Sequence, residues 1–348
     1  MTGLIVRTFF SIHDIEAQPW DQLAQGHPFQ SHQWYVYGER VMDDCSPVYL
    51  LAYQGDELIA RASFWLVRNE PIPKIPAPLR VIARGLIRHW PPLICRSPLA
   101  NISGLIVKDG LNRNEILKTI AQTAVEEAAS RGASFAVFDY LDEASSTDWP
   151  AAFGAIPVSE PGTVMKNHWN NLEEYLSASI NKKERRQYKR VMQVAHDFRL
   201  QLTRYKKVTD IKGALDLIRN VEQRHGALPN PWVPSMLENM QMVNGTWLEV
   251  HAGQQLVGCM LLLEDNHAQM ATALGLAEGI SDVYFLLLFA ALETAMEHKV
   301  RLLRWGSGAY EAKRRLGFQL EQNNYVSICG ANWLTRRFVR AFTTGSAN

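Results

Sequence analysis

The chain has 348 residues, a length that predicts two domains, and its 47% hydrophobic and 20% charged residues exclude a disordered, collagen-like or coiled-coil protein. Its 36 lysines and arginines balance its 35 aspartates and glutamates, so no overall charge attracts it to nucleic acid or an anionic membrane. Any basic binding site must therefore be local.

The cysteines and the apolar segments indicate a cytoplasmic protein. The cysteines lie far apart and form no CxxC pair, which excludes a zinc knuckle and a dithiol redox motif. They are Cys45, Cys95, Cys259 and Cys329. The apolar N-terminal stretch is broken by Arg7 and lacks a cleavage site, and the longest apolar run, 283–292, is too short to span a bilayer. We expect no integral membrane segment.

An internal repeat is the first structural signal along the chain. Residues 50–67 and residues 248–265 share one layout, in which two alternating apolar stretches flank a short polar turn. Gly55 in the first turn corresponds to Gly253 in the second. Both segments are predicted to be β-hairpins.

A second matched pair follows each hairpin. Residues 124–140 and 291–307 each read as the end of an apolar helix, a short connection and a strand. The offset between the hairpins is 253 − 55 = 198, whereas the offset between the helices is 291 − 124 = 167, so the first half carries 31 extra residues. A proline-rich stretch at about 70–100 accounts for them, and we expect an extended flap rather than a helix or a central strand.

The pattern of each half predicts an α/β (α+β) unit, built on a mixed, mostly antiparallel sheet flanked by helices. We place the first domain at residues 1–160, with the insertion at about 70–100, and the second domain at 161–348, where we expect the active cleft.

Between the matched segments, residues 171–197 are predicted to form one long helix, because acidic residues occupy its first turn and basic residues follow.

Three segments resemble a known group of proteins. Residues 20–39 are similar to the "W…L…PF.S..W" opening of bacterial proteins with tandem GNAT-like domains, which include the Fem-type peptidyl transferases. Residues 173–190 resemble their "YL..L…R…R" helix, and residues 303–318 resemble their "G…Y..K..FG" segment. The resemblance implies a transferase that moves an acyl or aminoacyl group to an amine.

The donor is open at this point. In GNAT enzymes the pyrophosphate of acyl-CoA binds at the start of a helix after an R/Q-x-x-G-x-G/A loop, and this sequence has no clear copy of that loop. The corresponding stretch offers Gly275, Gly279 and Ser281 as cofactor-binding residues, but Glu278 and Asp282 add negative charge there. Acyl-CoA and aminoacyl-tRNA therefore both remain candidates.

The segment after the last strand of the repeat gives the main catalytic candidates. Tyr310 and Lys313 fall on one face of a short predicted helix, where the phenol could protonate a leaving group and the ammonium could neutralise an acyl oxygen. Neighbouring residues are expected to bind substrate: Trp305, Ser307 and Arg314. The alternative is that the phenol packs in the core and the cations form a solvated helix face.

A second pair of candidates ends a predicted helix. Glu222 and His225 are residue types that can accept a proton from an acceptor amine, and they stand before a glycine and a proline-bounded loop. The alternative is ordinary helix termination, in which a basic residue in the last turn precedes a glycine.

A run of cations in the middle of the chain is the third candidate. Six basic residues within nine positions could neutralise the phosphates of a tRNA or of a nucleotide-linked intermediate, or could be a solvated helix face. They are Lys182, Lys183, Arg185, Arg186, Lys189 and Arg190. The arginines at positions 336, 337 and 340 could extend this surface or belong to a tail.

The last strand of the first half suggests a second substrate contact. Asp139 and Tyr140 correspond to Gly306 and Ser307 in the repeat, so we expect them to face substrate, although an aspartate at a strand end commonly forms a turn. No histidine pair with metal-ligand spacing occurs, and we predict no metal site. No nucleophile elbow, Walker loop or dinucleotide fingerprint is present either.

Together these patterns predict direct transfer of an acyl group from a thioester or ester donor, acyl-CoA first, to a small-molecule amine or a peptide. An aminoacyl-tRNA-dependent ligase is the alternative within the same chemistry, and tRNA would then be a partner. A third hypothesis is a non-catalytic binding protein for a cell-envelope precursor. The sequence does not specify the oligomeric state.

Overall fold

The computed structural model describes residues 3–69, 85, 87–143, 149–150, 152–157, 161–178, 180–279 and 281–345. These residues form two compact units. Unit 1 comprises residues 1–161 and 322–348, and unit 2 comprises residues 162–321. Most of the proline-rich insertion, residues 70–84, lies outside the described residues.

Unit 1 is an eight-stranded sheet with helices packed on it. Its helices are α1 (Ala17–Leu23), α2 (His32–Val41), α3 (Arg113–Ser130) and α10 (Trp333–Gly345). Its strands are β1 (Leu4–Phe9), β2 (Ser46–Gln54), β3 (Glu57–Leu66), β4 (Pro92–Cys95), β5 (Leu105–Val107), β6 (Phe135–Leu141), β7 (Gly154–Pro157) and β15 (Tyr325–Gly330). The sheet order is β1-β2-β3-β4-β6-β15-β7, with β5 paired to β3.

Unit 2 is a seven-stranded sheet of order β14-β8-β13-β12-β11-β10-β9. Its strands are β8 (Thr163–Lys166), β9 (Leu200–Tyr205), β10 (Thr246–Ala252), β11 (Gln255–Asp265), β12 (Ala268–Leu276), β13 (Leu302–Arg304) and β14 (Gln319–Leu320). Its helices are α4 (Leu172–Ala178), α5 (Lys182–Asp197), α6 (Ile211–Arg224), α7 (Val233–Asn239), α8 (Ser281–Glu297) and α9 (Tyr310–Arg315). Each unit has its own apolar core.

The two hairpins predicted from the repeat are β2–β3 and β10–β11. Gly55 and Gly253 have φ angles of +63° and +61° in the two turns, a conformation in which glycine has no side-chain clash. The pairing register shifts after Ala52 in the first hairpin and after Val250 in the second. These positions are separated by 250 − 52 = 198 residues, the offset of the turns, so the repeat includes the bulge.

The insertion contains a central strand, which corrects one expectation. β4 pairs antiparallel with β3 and parallel with β6, and its residues after Pro92 are buried. Pro92 is the first residue of the strand, a position where proline is tolerated in a sheet. The proline-rich stretch at 70–100 is therefore not an extended flap throughout, because its last part completes the sheet.

Two further expectations differ from the structure. The single helix predicted over 171–197 is two helices, α4 and α5, because the side chain of Asn181 accepts hydrogen bonds from the N–H groups of Lys183 and Glu184 and so begins a new helix. Residues 322–348 are expected in the second domain, whereas they group with unit 1. The reason is β15, which pairs with β6 and β7.

Candidate functional site

The site candidates of unit 2 lie near the carboxyl ends of two strands of its sheet, Glu222 and His225 near the end of β12 and the Tyr310 cluster after β13. β12 and β13 run parallel and pair only over Ala268–Met270 and Leu302–Arg304, while β12 continues to Leu276. The carboxyl ends of parallel strands lie at the same edge, and α/β proteins commonly bind ligands there. In unit 2 this edge contains the end of β12, the start of α8 and the loop between β13 and α9.

Trp305 follows directly after β13 at this edge. Its side chain is 4% exposed, and the centre of its ring lies 4.4 Å from the centre of the Phe318 ring. Within the described residues, the buried indole Nε1 has no hydrogen-bond partner. A buried donor without an acceptor costs roughly 1–3 kcal/mol, and Trp305 is a member of the unit 2 core.

Lys313 is buried rather than presented to solvent. Its side-chain ammonium donates to the carbonyl oxygens of Trp305, at 2.5 Å, and Gly306, at 3.1 Å. Burial lowers the pKa of Lys313 to about 8, and the negative charge of Glu321 opposes that shift. In this geometry Lys313 stabilises the turn that follows β13. The sequence predicted instead that its ammonium would contact an acyl oxygen.

The rest of the Tyr310 cluster is more accessible. Tyr310 begins α9 and is half-buried, while Ser307 and Arg314 are exposed or partly exposed. Tyr310, Lys313 and Arg314 do not converge on one ligand position, because the Lys313 ammonium points back to the strand end. Tyr310 is half-buried and lies in the first turn of the helix that follows the loop after β13.

Glu222 holds the loop after α6. Its carboxylate accepts hydrogen bonds from the Arg219 guanidinium at 2.6 Å and from the backbone N–H of Asn230 at 2.9 Å. His225 is the C-cap of the same helix and is exposed. Of this pair, His225 is the group that solvent and a ligand can reach.

Arg224 joins the end of α6 to the end of β12. Its guanidinium donates to the carbonyl oxygen of Leu276 at 2.9 Å, which brings the exposed His225 to the carboxyl edge of the sheet. Arg224 has no role among the sequence-based predictions. An arginine in the last turn of a helix was the available signal, since such side chains commonly bind carbonyl oxygens nearby.

The three cofactor candidates lie between β12 and α8. Gly275 is buried, and a Cβ there would lie 2.8 Å from the Leu217 Cβ and 3.0 Å from the Ile218 backbone nitrogen, so its role is to let α6 pack on the sheet. Gly279 has a φ angle of +83° and open space around it. Ser281 is the first residue of α8.

An ion pair neutralises the acid at the start of α8. The Arg190 guanidinium donates to the Asp282 carboxylate at 2.6 Å, and Arg190 is itself 64% exposed. The negative charge that opposed phosphate binding in the sequence is thus matched by a cation from α5. The sequence could not show this contact, because 92 residues separate the two positions.

The basic run lies on the outer surface of α5. The opposite face is buried through Glu184, Val191 and Ala195. All six cations are exposed or partly exposed, and among the described residues Arg190 is the one with an ion pair to an acid. They are Lys182, Lys183, Arg185, Arg186, Lys189 and Arg190. Through Arg190, the last cation of the run, this surface adjoins the start of α8.

Unit 1 has a cavity of about 840 Å³ at the carboxyl end of β6. Tyr140 lies in its wall with a φ angle of +55°, and its hydroxyl donates to the Asn101 side chain at 3.1 Å. The left-handed conformation is unusual for tyrosine and is found mostly at functional or tightly constrained positions. Asp139 accepts a hydrogen bond from the Tyr140 N–H and does not line the cavity.

The charges around this cavity are mainly acidic. Its walls include Asp56, Asp109 and Asp142, together with Arg113 and a Lys108–Glu57 ion pair. Acids in a concave site favour a cationic ligand. The cavity was not predicted, because its walls come from five separate segments of unit 1.

The described ranges contain neither a metal cluster nor a membrane-spanning helix. Over these ranges, no group of three histidine, cysteine or acidic side chains could hold a metal ion. Within the same part of the chain, no helix is both long enough and apolar enough to cross a bilayer.

Residues 181–314 match the family model described as an acetyltransferase (GNAT) domain. This segment contains α5, the β12–β13 edge and the start of α9, the elements that build the site of unit 2. The two-unit fold is also that of a solved tandem GNAT protein from the clavulanic acid biosynthesis pathway, with a TM-score of 0.59 and 13% identity, covering 95% of this chain and 99% of that one. The chain is a tandem GNAT-fold protein.

Other structures share the tandem GNAT fold. FemX is similar with a TM-score of 0.60 and 11% identity, covering 92% of this chain and 96% of that one. The C-terminal domain of a putative lysylphosphatidylglycerol synthetase from Agrobacterium fabrum is similar with a TM-score of 0.53 and 11% identity, covering 96% and 97%. No curated protein matches the sequence. The expected fold and family resemblance are thereby confirmed, and the domain match supports a transferase.

Proposed function

We propose that this tandem GNAT-fold protein is an N-acyltransferase whose reaction takes place at the carboxyl edge of the unit 2 sheet. The buried, unsatisfied Nε1 of Trp305 is the observation that supports this most directly. This hydrogen-bond donor follows the carboxyl end of β13, and we propose that it receives an acyl carbonyl oxygen. The backbone of β12 beyond Met270 offers polar groups along which an extended donor could lie.

The reaction is direct transfer. The nitrogen of a neutral amine attacks the carbonyl carbon of the donor, the bond from that carbon to sulfur or oxygen breaks, and an amide forms. His225 is proposed to accept the proton of the attacking amine, and Tyr310 is proposed to give a proton to the leaving group. Lys313 and Glu222 act as positioning residues, since each is held by neighbouring groups.

Acyl-CoA is the first proposed donor. The start of α8 supplies backbone N–H groups, Gly279 leaves room beside them, and Arg190 neutralises Asp282. Aminoacyl-tRNA is the second candidate, favoured by the six cations of α5. Both donors are made in the cytoplasm, where we therefore place the protein.

The acceptor is proposed to be a small-molecule or peptide amine. The acidic cavity of unit 1 is proposed as a separate site for a cationic ligand, with Tyr140 in its wall and Asp139 setting the Tyr140 backbone. The opposing hypothesis, a protein that binds a cell-envelope precursor without catalysis, requires the same cavity but no reaction in unit 2.

The first test is a thermal-shift titration with acetyl-CoA, longer acyl-CoAs, free CoA and charged tRNA. A ligand at a hundred times its Kd adds about 2.7 kcal/mol to the stability of the folded state. A saturable shift identifies the donor, whereas no shift with any of these ligands contradicts the transferase proposal and favours a binding protein.

The second test is Trp305→Phe, which keeps an aromatic ring and removes the donor. We expect kcat/KM with the identified donor to fall about tenfold to a hundredfold. The folded variant should be as stable as wild type or more stable, because the unsatisfied N–H is gone. Equal stability with unchanged kcat/KM would show that the indole only packs against Phe318.

A further inference from the structure

The last helix of the chain, α10, is held on the unit 1 sheet by one face. It packs on β15 and β7, with Val339 buried at 4% exposure. The Asn332 side chain accepts a hydrogen bond from the Thr335 N–H at 3.0 Å and caps the helix start. The Arg336 guanidinium also donates to the carbonyl oxygen of Gly330 at 3.1 Å. These contacts fix which side of α10 points outward.

The outward side of α10 exposes large apolar side chains. Trp333, Leu334 and Phe338 are 65%, 60% and 63% exposed. At 100° per residue, they lie within one sector of the helix, away from Val339. Three large apolar residues on one exposed sector differ from the scattered apolar side chains of an ordinary protein surface.

The same helix has a strong local charge. Arg336, Arg337 and Arg340 are exposed, and residues 322–348 include no aspartate or glutamate. Arg337 falls between Trp333 and Phe338 on the outward sector, while the other two arginines lie beside Trp333 on one side of that sector. A segment with three arginines thus accompanies the apolar sector, in a chain whose total formal charge is +1.

We propose that the outer face of α10, defined as Trp333, Leu334, Arg337, Phe338 and the adjacent Arg340, docks on an anionic lipid surface. Helices that lie in a membrane interface combine tryptophan, phenylalanine and leucine on one side with arginine or lysine beside them. The apolar side chains would enter the headgroup boundary, and the guanidinium groups would remain at the level of the lipid phosphates. This proposal is independent of the transferase reaction.

Charge distinguishes a lipid surface from a second copy of the chain. In a symmetric dimer the same patch is present on both sides, so the arginines of the two copies would meet with no acid on either helix to balance them. An anionic bilayer supplies the opposite charge and an apolar interior together. The apolar and the cationic side chains of α10 both match such a surface.

The test is co-sedimentation of the full chain with vesicles of phosphatidylcholine, with and without phosphatidylglycerol, at low and high salt. We expect binding to the anionic vesicles, weakened by salt and much lower on phosphatidylcholine alone. Trp333→Ala combined with Phe338→Ala should reduce the affinity about tenfold or more. Arg337→Gln and Arg340→Gln should each reduce it about fivefold.

Matched controls are available in the chain. Ile5→Ala combined with Phe10→Ala removes two apolar side chains of 53% and 51% exposure on and just after β1, at the sheet edge opposite the strands that hold α10, and it should leave vesicle binding unchanged. Every variant should keep the wild-type melting temperature, because the substituted groups are exposed.

Three results would overturn the proposal. One is absence of binding to the anionic vesicles by the wild-type chain. Another is loss of binding when the cations of α5 are replaced but not when those of α10 are. The third is a wild-type dimer that becomes a monomer in the Trp333→Ala, Phe338→Ala variant with no effect on vesicle binding.

Discussion

The carboxyl edges of the two sheets have the same architecture but different charged residues around them. In unit 1 the edge opens into a cavity with Asp56, Asp109 and Asp142 in its walls. In unit 2 the corresponding edge has Arg224 bound to Leu276 and Arg190 bound to Asp282. The duplicated fold repeats the position of a site, whereas the side chains at each copy decide the charge of the ligand that it suits.

Each unit also contains a buried cation, and the two cations differ in whether their charge can change with pH. Arg61 in unit 1 is fully buried, with its guanidinium 3.7 Å from the centre of the Trp20 ring and bonded to Gln30. Lys313 in unit 2 is buried against two carbonyl oxygens. Burial lowers the pKa of both, but an arginine stays charged in proteins while a lysine with a pKa near 8 does not. Of these two cations, the one in unit 2 can change charge in the accessible pH range.

The largest expected effect separates the roles of the two edges. Tyr310→Phe removes the proposed proton donor of unit 2, so kcat should fall about a hundredfold with little change in KM. Tyr140→Phe alters the cavity of unit 1, outside the proposed reaction centre, so kcat should stay within a few fold. Steady-state kinetics with the donor identified by thermal shift measure both.

The control is Tyr205→Phe, a strand tyrosine of unit 2 that is 36% exposed and has no proposed role. Its kinetic constants should equal those of wild type. If Tyr140→Phe lowered kcat a hundredfold and Tyr310→Phe did not, the chemistry would belong to unit 1 and the assignment of the two edges would be reversed.

Much of the fold could be predicted from local patterns. Both hairpins have a glycine turn between alternating strands, and the helix that follows each is long and apolar, so periodicity alone located them. Asn112 caps the start of α3, and its side chain accepts a hydrogen bond from the N–H of Glu115, three positions later. These features depend on neighbours within a few residues.

The remaining features depend on contacts between distant residues. β4 is a strand because β3 and β6 flank it, in spite of its prolines. β15 belongs to unit 1 because the chain returns to β6, which no repeat reveals. Lys313 looked like an exposed helix cation, yet it binds the carbonyl groups at the end of β13. Side-chain direction relative to a distant strand is not encoded in local periodicity.

The second prediction concerns close packing in each unit. Gly275→Ala should destabilise unit 2 by about 1–3 kcal/mol, because the added Cβ would lie 2.5 Å from the Cys259 sulfur and within 3.0 Å of α6. Gly104→Ala should have a similar effect in unit 1, where the Ser63 carbonyl oxygen is 2.6 Å from the added atom. Urea denaturation followed by circular dichroism measures both.

Since the two glycines belong to different units, their effects should add. The Gly104→Ala, Gly275→Ala variant should equal the sum of the single variants within about 0.5 kcal/mol. A larger deviation would show that the two cores are energetically coupled and would weaken their treatment as separate compact units.

The third prediction uses the depressed pKa of Lys313. The folded chain releases this proton near pH 8, whereas a lysine in the unfolded chain holds it until its ordinary pKa of 10.5. Between these values the unfolded state binds more protons, so the stability contributed by this group rises with pH. From pH 7.5 to pH 9.5 the gain should be about 1–2 kcal/mol.

Lys313→Met should remove that gain, so the stability lost through the substitution is larger at pH 9.5 than at pH 7.5. Urea midpoints of both proteins at the two pH values measure the difference. Arg61→Met in unit 1 should be destabilising by the same amount at both pH values, because Arg61 does not titrate there. Equal pH dependence in wild type and Lys313→Met would mean that the lysine keeps its normal pKa and is not desolvated.

The smallest expected effect tests the basic edge of unit 2. If the α5 surface binds the phosphates of the donor, Arg186→Gln and Lys189→Gln should each reduce the slope of log affinity against log salt by about 1 for charged tRNA. For acyl-CoA, which has fewer phosphates, only substitutions beside the start of α8, such as Arg190→Gln, should change the slope.

The matched control is Lys212→Gln, which removes an exposed cation on α6 and should leave the slope unchanged. If wild type and all three variants have the same slope with each donor, the α5 cations form a solvated surface, and the contrast between an acidic and a basic edge does not extend to ligand binding.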